Sequence, residues 1–388
     1  MYRIGQEEID AVAKVIETQS MFKINDKLQE SKKVEEAIKD MFKTEYPIFM
    51  TSGHAALTSA LIALGIGPGD EVIVPAYTYI ATAMAVVAAG AIPVIAEIDE
   101  TLTISPEDIE AKITKNTKAI MPVHIQGFPC KMDEIMAVAK KHNLYVVEDA
   151  CQADGGSYKG KRLGTIGDAG GLSFNYFKII SSGEGGALLT NNKEVFERAL
   201  IYHDSSAISF FGNQMDGFES QSFCGHEFRS NELCAAVMRV QLTRLDGILE
   251  DLRKNKQYYI DSISDVCKIV ESNDAEGDCA TTLAIQFDTE EEARKFATSE
   301  GIRGTLPIDT GKHVYSNWTP IMEKRGAFNP LMDPFKMEAN KDIVPDYKKD
   351  MCPKTLEILS KVVYIGVDSD STKDYLDSRI KAIREALK

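Results

Sequence analysis

Lys178 lies in the run Leu172-Ser-Phe-Asn-Tyr-Phe-Lys178-Ile-Ile-Ser-Ser-Gly-Glu-Gly-Gly186, between two stretches that read as strands. An amine that forms a Schiff base needs a fixed place at the mouth of a fold, a depressed pKa and a backbone that turns sharply around it. Gly183, Gly185 and Gly186 permit such a turn before the apolar run 187–190. The plain alternative is a solvated surface lysine, and this stretch alone does not decide. Three other places bear on it. Ser52-Gly53-His54 follows an apolar strand and opens a helix, where outward amides and the helix dipole favour a phosphate, although Ser-Gly also serves as an ordinary cap. Asp149 follows the apolar run 144–147, at the carboxyl end of a strand, where open α/β sheets bind ligands. A carboxylate there caps a helix or pairs with a cation. Tyr79, just beyond another strand end, either lies flat on a heterocycle or packs in the core.

Singly, each signal is weak. In the order Gly53, Tyr79, Asp149, Lys178 they supply a phosphate cradle, a flat aromatic, a strand-end carboxylate and an imine-forming amine. Those are the parts needed to bind pyridoxal 5′-phosphate, whose ring nitrogen stays protonated beside a buried carboxylate.

These groups need a scaffold, and the hydrophobic pattern predicts one. Amphipathic helices are expected at 7–18 and 31–42. An alternation follows: strands at 47–50, 71–75, 92–96, 117–123 and 144–147, with helices from Ser52 to near Gly65, at 79–89 and at 132–142. Short apolar runs separated by helices indicate a mostly parallel sheet covered on both faces. A long helical pattern at 230–252 leads to a strand at 281–287 and a helix at 290–301. The stretch 306–350 holds five of the 13 prolines and reads as an irregular wall, and a helix over 374–387 closes the chain. The expected division is a large domain at 1–245, with the N-terminal helices, and a small α+β domain at 246–388.

Composition narrows the field further. With 388 residues the chain exceeds one simple core. Net charge is −15 and no cluster of Lys and Arg occurs, which argues against nucleic-acid binding. The seven cysteines are scattered without a Cys-x-x-Cys pair, so neither a metal site nor a disulfide framework is expected. No run approaches a membrane span of ~20 apolar residues. A soluble, cytoplasmic protein is expected.

The chain resembles the DegT/DnrJ/EryC1/StrS sugar aminotransferases, which have the aspartate aminotransferase-like (fold type I) architecture. The resemblance runs from Ile4-Gly-Gln-Glu-Glu through Ser52-Gly-His-Ala-Ala-Leu, Glu148-Asp-Ala-Cys-Gln152 and Lys178…Gly-Glu-Gly-Gly to Phe228-Arg229…Glu232. It implies that Lys178 carries the cofactor, Asp149 pairs with its ring nitrogen, Gln152 lies beside its ring hydroxyl and Tyr79 stacks on it. Gly53, His54 and Ser173 would hold the phosphate. It also implies homodimers in which each site borrows residues from its neighbour. Two positions depart from the family pattern: His54 stands where Thr is usual, and Glu227 where Asn reaches the partner's phosphate. An ionised Glu227 would repel that phosphate unless it is paired or turned away.

Because the lysine is present, transamination is expected rather than the dehydration run by relatives with histidine there. The segment 309–335 resembles the branch that aminates free carbonyl compounds. The expected acceptor is 8-oxo-3-deoxy-manno-octulosonate, giving the 8-amino sugar acid of lipopolysaccharide, with scyllo-inosose or a nucleotide-linked keto-sugar as alternatives. Glutamate or glutamine is the expected donor, and His124, Arg229, Lys312 and His313 are the cations that could meet acidic substrates. A pyridoxal-phosphate-binding regulator without turnover is the alternative of another class.

Overall fold

The computed structural model describes residues 3–210 and 215–388. Its largest sheet contains β1 (Tyr46–Met50), β2 (Glu71–Pro75), β3 (Ile92–Ala96), β4 (Thr117–Ile120) and β5 (Tyr145–Asp149). A small hairpin, β6 (Ser157–Tyr158) and β7 (Lys161–Arg162), precedes the last two members, β8 (Ala169–Ser173) and β9 (Gly186–Thr190). Across the sheet the order is β1-β9-β8-β5-β4-β2-β3. Strands β8, β5, β4, β2 and β3 pair in parallel, and β9 runs antiparallel to both its neighbours. The second sheet, β10 (Lys268–Ile269), β11 (Thr282–Gln286), β12 (Gly304–Thr305) and β13 (Val362–Gly366), is antiparallel in the order β10-β11-β13-β12. This is the aspartate aminotransferase-like fold that was expected.

The helices, in chain order, begin with α1 (Gln6–Glu17), α2 (Glu30–Phe42), α3 (Gly53–Ala63) and α4 (Ala81–Ala88). Next come α5 (Pro106–Lys112), α6 (Met132–His142), α7 (Lys193–His203) and α8 (Glu232–Ile263). The last are α9 (Glu290–Ala297), α10 (Thr319–Met322), α11 (Pro353–Ser360) and α12 (Lys373–Ala386). Successive strand residues face opposite sides of the sheet. Phe49, Ile73, Val146 and Leu189 join one core with α2, α5, α6 and α8, while Ile48, Val72, Val147 and Leu188 join another with α3, α4 and α7. Because both faces are covered, the strands read as unbroken apolar runs. Nine of the eleven residues of α3 are buried, so this helix lies inside the domain with only its N-terminus facing the sheet end.

Helix α8 passes residue 245 without a break and reaches Ile263, well beyond the expected end at 252. Its polar second half hides a buried stripe of Leu252, Tyr259 and Ile263, and its buried polar groups have partners: Asn255 donates to the Asp368 carbonyl and Lys256 to Asp278. The segment 306–350 contains one four-residue helix and otherwise short turns. It packs back onto the large sheet, with Tyr315 N–H donating to the Ala76 carbonyl, Tyr347 to the Pro93 carbonyl and Trp318 fully buried. Helices α5, α7 and α11 and strand β13 come in addition to the elements that the hydrophobic pattern predicts. Among the described residues no helix is long and apolar enough to cross a membrane.

Candidate active site

Strand ends and helix starts converge at the carboxyl edge of the parallel strands, where β1 delivers Ser52, β2 leads to Tyr79, β5 ends at Asp149 and β8 ends at Ser173. Ser52 caps α3, its hydroxyl accepting from Ala55 N–H at 3.1 Å. The N–H groups of Gly53 and His54 have no protein acceptor among the described residues, which leaves an anion-binding helix start. Glycine is required at 53 because a Cβ there would lie 2.4 Å from Cys151 Sγ and 2.9 Å from Ser173 Cβ. A Cβ on Gly186 would strike the Ser52 and Gly53 backbone. Both glycines therefore serve the close packing of α3, Cys151, β8 and β9.

The strand alternation divides two adjacent carboxylates. Glu148 faces inward and accepts from the N–H groups of Gly164, Ile166 and Gly167 and from His124 Nε2. Asp149 faces the site. Its Oδ1 accepts from Cys151 N–H at 3.1 Å, and its Oδ2 accepts from the Thr82 hydroxyl at 2.7 Å. Thr82 Oγ1 in turn lies 2.8 Å from Thr78 Oγ1 and 3.1 Å from the Tyr79 carbonyl. The loop that carries Tyr79 is thus tied to the strand that carries Asp149. Gln152, three residues further on, accepts at Oε1 from Gln126 N–H at 3.1 Å.

Lys178 occupies the β8–β9 connection. Phe174 N–H donates to the Gly185 carbonyl, Tyr176 N–H to Gly183 and Lys178 N–H to Asn175, all near 3.0 Å. Gly183 takes φ +86, as the tight return requires. The Lys178 charge opposes the upward push of burial on the Cys151 and Asp154 pKa values and adds to the lowering at His313. Burial pushes the His54 imidazole below its ordinary pKa, opposed by its hydrogen bond to the Ala81 carbonyl at 3.3 Å and by Asp149. Burial also pushes the Cys151 thiol well up.

Lys312 and His313 reach the same mouth. The Lys312 ammonium lies 5.3 Å from the Tyr79 ring centroid and 5.9 Å from that of Phe177, and no carboxylate pairs with it among the described residues. His313 packs 5.6 Å from Tyr79, its Nδ1 buried without a hydrogen-bond partner among the described residues and its pKa lowered by burial.

Two of the four expected substrate cations do not fill that role. His124 is fully buried: Nδ1 accepts from Cys130 N–H at 3.1 Å and Nε2 donates to Glu148 at 3.1 Å, so both ring nitrogens are spent within the core. Arg229 is engaged by Asp204 and, at 2.5 Å, by Glu227, and its guanidinium lies over Phe22. Its charge is neutralised within this chain. The same pair gives Glu227 its partner.

A profile of the DegT/DnrJ/EryC1/StrS aminotransferase family matches residues 2–312. The chain belongs to this family. Among DegT/DnrJ/EryC1/StrS proteins, the spore coat polysaccharide biosynthesis protein SpsC of Bacillus subtilis (strain 168) is 39% identical over 409 aligned positions, covering 99% of this chain and 95% of that protein. A GDP-perosamine synthase of Escherichia coli O157:H7 is 38% identical over 238 residues, 61% of this chain and 64% of the synthase. The matches to this and two further GDP-perosamine synthases span 64%, 56% and 61% of those proteins' own length. In solved structures, the aminotransferase from Psychrobacter cryohalolentis superposes with a TM-score of 0.79 at 28% identity, over 99% of this chain and 98% of that one.

Three groups at this DegT/DnrJ/EryC1/StrS site went unnoticed in the sequence: Thr82, Gln126 and the buried acid Asp154. Thr82 carried a faint signal, a hydroxyl in the first turn of a helix just after a strand end. Gln126 carried none, since its partners Gln152, Thr281 and Thr282 are distant in sequence, and nothing local marks Asp154 as buried.

Proposed function

We infer that this chain is a pyridoxal-5′-phosphate-dependent aminotransferase that moves an amino group from glutamate or glutamine to the carbonyl of a sugar-derived acceptor. The observation that carries this reading is the convergence, at one sheet edge, of the free Gly53 and His54 amides of α3, the Thr82-held Asp149 carboxylate and the loop-mounted Lys178. The residues fit the cofactor. Free amides at Gly53 and His54, with Ser173 beside them, would hold its phosphate. Asp149 would pair with its ring nitrogen, Gln152 would meet its ring hydroxyl, Tyr79 would cover one face and Lys178 would carry it. Once bound, pyridoxal phosphate supplies an electron sink for the carbon that gains or loses nitrogen.

The chain's own residues do the rest. Thr82 holds Asp149 in the orientation that suits a protonated ring nitrogen. Lys178 Nζ acts as general base on the α-carbon proton of the amino donor, then as general acid toward the acceptor carbon that receives the nitrogen. Tyr79, Phe177 and Lys312 border the opening, so a substrate entering there meets an ammonium that no carboxylate among the described residues pairs with.

That ammonium, with His313 beside it, supports an acidic free sugar such as 8-oxo-3-deoxy-manno-octulosonate as the acceptor, which links the chain to lipopolysaccharide synthesis. A nucleotide-linked keto-sugar is the second reading, favoured by the likeness to a GDP-perosamine synthase. Site sharing in a cytoplasmic homodimer fits the exposed Tyr176 and Phe177 beside Lys178. The test is a matrix of assays: glutamate and glutamine as donors against free keto- and aldo-sugar acids, scyllo-inosose and nucleotide-linked keto-sugars. Turnover with a free acid alone supports the first acceptor, and turnover with nucleotide sugars alone supports the second. A visible cofactor band that does not change with any donor favours a regulator without turnover.

A further inference from the structure

A glutamine amide has one accepting and one donating end. Gln126 N–H lies 3.1 Å from Gln152 Oε1, so the accepting end of Gln152 is committed to the main chain and its two N–H donors face away from Gln126. Gln126 itself is a left-handed residue, φ 52 and ψ 20, in a turn that leaves the carboxyl side of β4. Two hydroxyls from the small sheet grip it. Thr281 Oγ1 donates to its carbonyl at 2.8 Å, and Thr282 Oγ1 donates to its side-chain Oε1 at 3.1 Å. Next to it, Cys279 N–H donates to the Gly127 carbonyl at 3.1 Å, and a Cβ on Gly127 would lie 2.5 Å from Cys279 Cβ. The chain entering β11 is therefore seated directly on the turn.

We propose that Gln126 is a positioning residue that fixes the aim of Gln152 and makes it depend on the seating of β11 against the large sheet. The proposal rests on the reading of the site as one for pyridoxal phosphate, with Gln152 donating to the ring hydroxyl oxygen. If β11 shifts when substrate enters, the turn at 126 shifts with it, and the donor strength offered to that oxygen changes. In this proposal Gln126 acts through Gln152 alone, by the main-chain hydrogen bond to its Oε1.

The experiment is a pH titration of the visible band of the cofactor-loaded protein, in wild type and in Gln152→Ala, Thr281→Val, Thr282→Val and Gln126→Gly. The two valines are near-isosteric with threonine, and glycine keeps the left-handed turn while releasing the Thr282 contact. Losing a donor to the ring oxygen leaves more negative charge beside the protonated nitrogen of the lysine linkage, so the Gln152→Ala midpoint rises. Thr282→Val and Gln126→Gly raise it the same way by roughly half a pH unit, the scale of one weakened neutral hydrogen bond, with Thr281→Val following. Midpoints equal to wild type in all three positioning variants, beside a shifted Gln152→Ala, overturn the proposal and leave the site reading intact. An unshifted Gln152→Ala overturns the role of Gln152 itself, and the proposal with it.

Discussion

Thr82 Oγ1 donates to Asp149 Oδ2 at 2.7 Å, joining the first turn of α4 to the end of β5 across 67 positions of sequence. A hydrogen bond to a buried carboxylate is charge-assisted and is worth about 1.5–3 kcal/mol. Thr82→Val removes the donor without changing the packing volume. Titration of pyridoxal phosphate into cofactor-free protein, followed by fluorescence quenching, should show affinity about tenfold weaker or worse, while Thr82→Ser stays near wild type. Equal affinity in all three would mean that Thr82 is only a core residue.

His124 belongs to the scaffold. Truncating it strands Cys130 N–H in a dry interior, at about 1–3 kcal/mol for a group left unmet, and takes one of two donors from Glu148 Oε2, which keeps the Gly164 N–H. His124→Ala is expected to lower the denaturant midpoint clearly and to leave KM for the sugar acceptor unchanged in the fraction that folds. A KM increase at unchanged stability would return this histidine to the substrate site.

Gly53 is held by steric closeness. In Gly53→Ala the added methyl meets Cys151 Sγ and Ser173 Cβ, and such overpacking costs about 1–3 kcal/mol. Melting temperature and cofactor affinity should both fall. Adding Cys151→Ala should restore part of the loss, because it removes the nearer of the two atoms. Strictly additive losses in the double variant would contradict this packing account.

Asp154 is fully buried, and both its carboxyl oxygens lack a partner among the described residues. Burial holds its pKa well above the usual carboxylate range, with the Lys178 charge pulling the other way. Below about pH 3.9, the unfolded value, both states are protonated. As pH rises past that point the unfolded chain ionises first, so the protonated native state loses stability until the pH passes the native pKa. The melting temperature of wild type should therefore fall relative to Asp154→Asn as pH climbs from about 4 toward neutrality. Parallel melting curves across that window would show that the carboxyl is not held neutral by the fold.

How much of this was legible in the sequence depends on where each residue's partners lie. Gly53, Tyr79 and Asp149 sit where an apolar run meets turn residues, so local pattern alone puts them at or just beyond strand ends and Lys178 on the connection between two strands, and the strands 71–75 and 92–96 were readable to the residue. The packing reason for Gly53 was not readable, because Cys151, in the turn after β5, and Ser173, at the end of β8, lie far away in sequence. His124 looked like a free cation since nothing local reveals that Glu148, on the neighbouring strand, accepts a hydrogen bond from its Nε2. Strand β13 escaped notice although Val362-Val-Tyr-Ile is apolar, because its pairing with β11 closes a loop of about eighty residues that no local window contains. The polar appearance of α8 beyond Leu252 likewise concealed Asn255 and Lys256, whose partners lie far along the chain.

The account turns on a single covalent attachment. Reduction of the cofactor-loaded protein with borohydride, followed by proteolysis and peptide mass analysis, should place one pyridoxyl-phosphate increment on Lys178. An unmodified Lys178, or the increment on a different lysine, would contradict the assignment of this site.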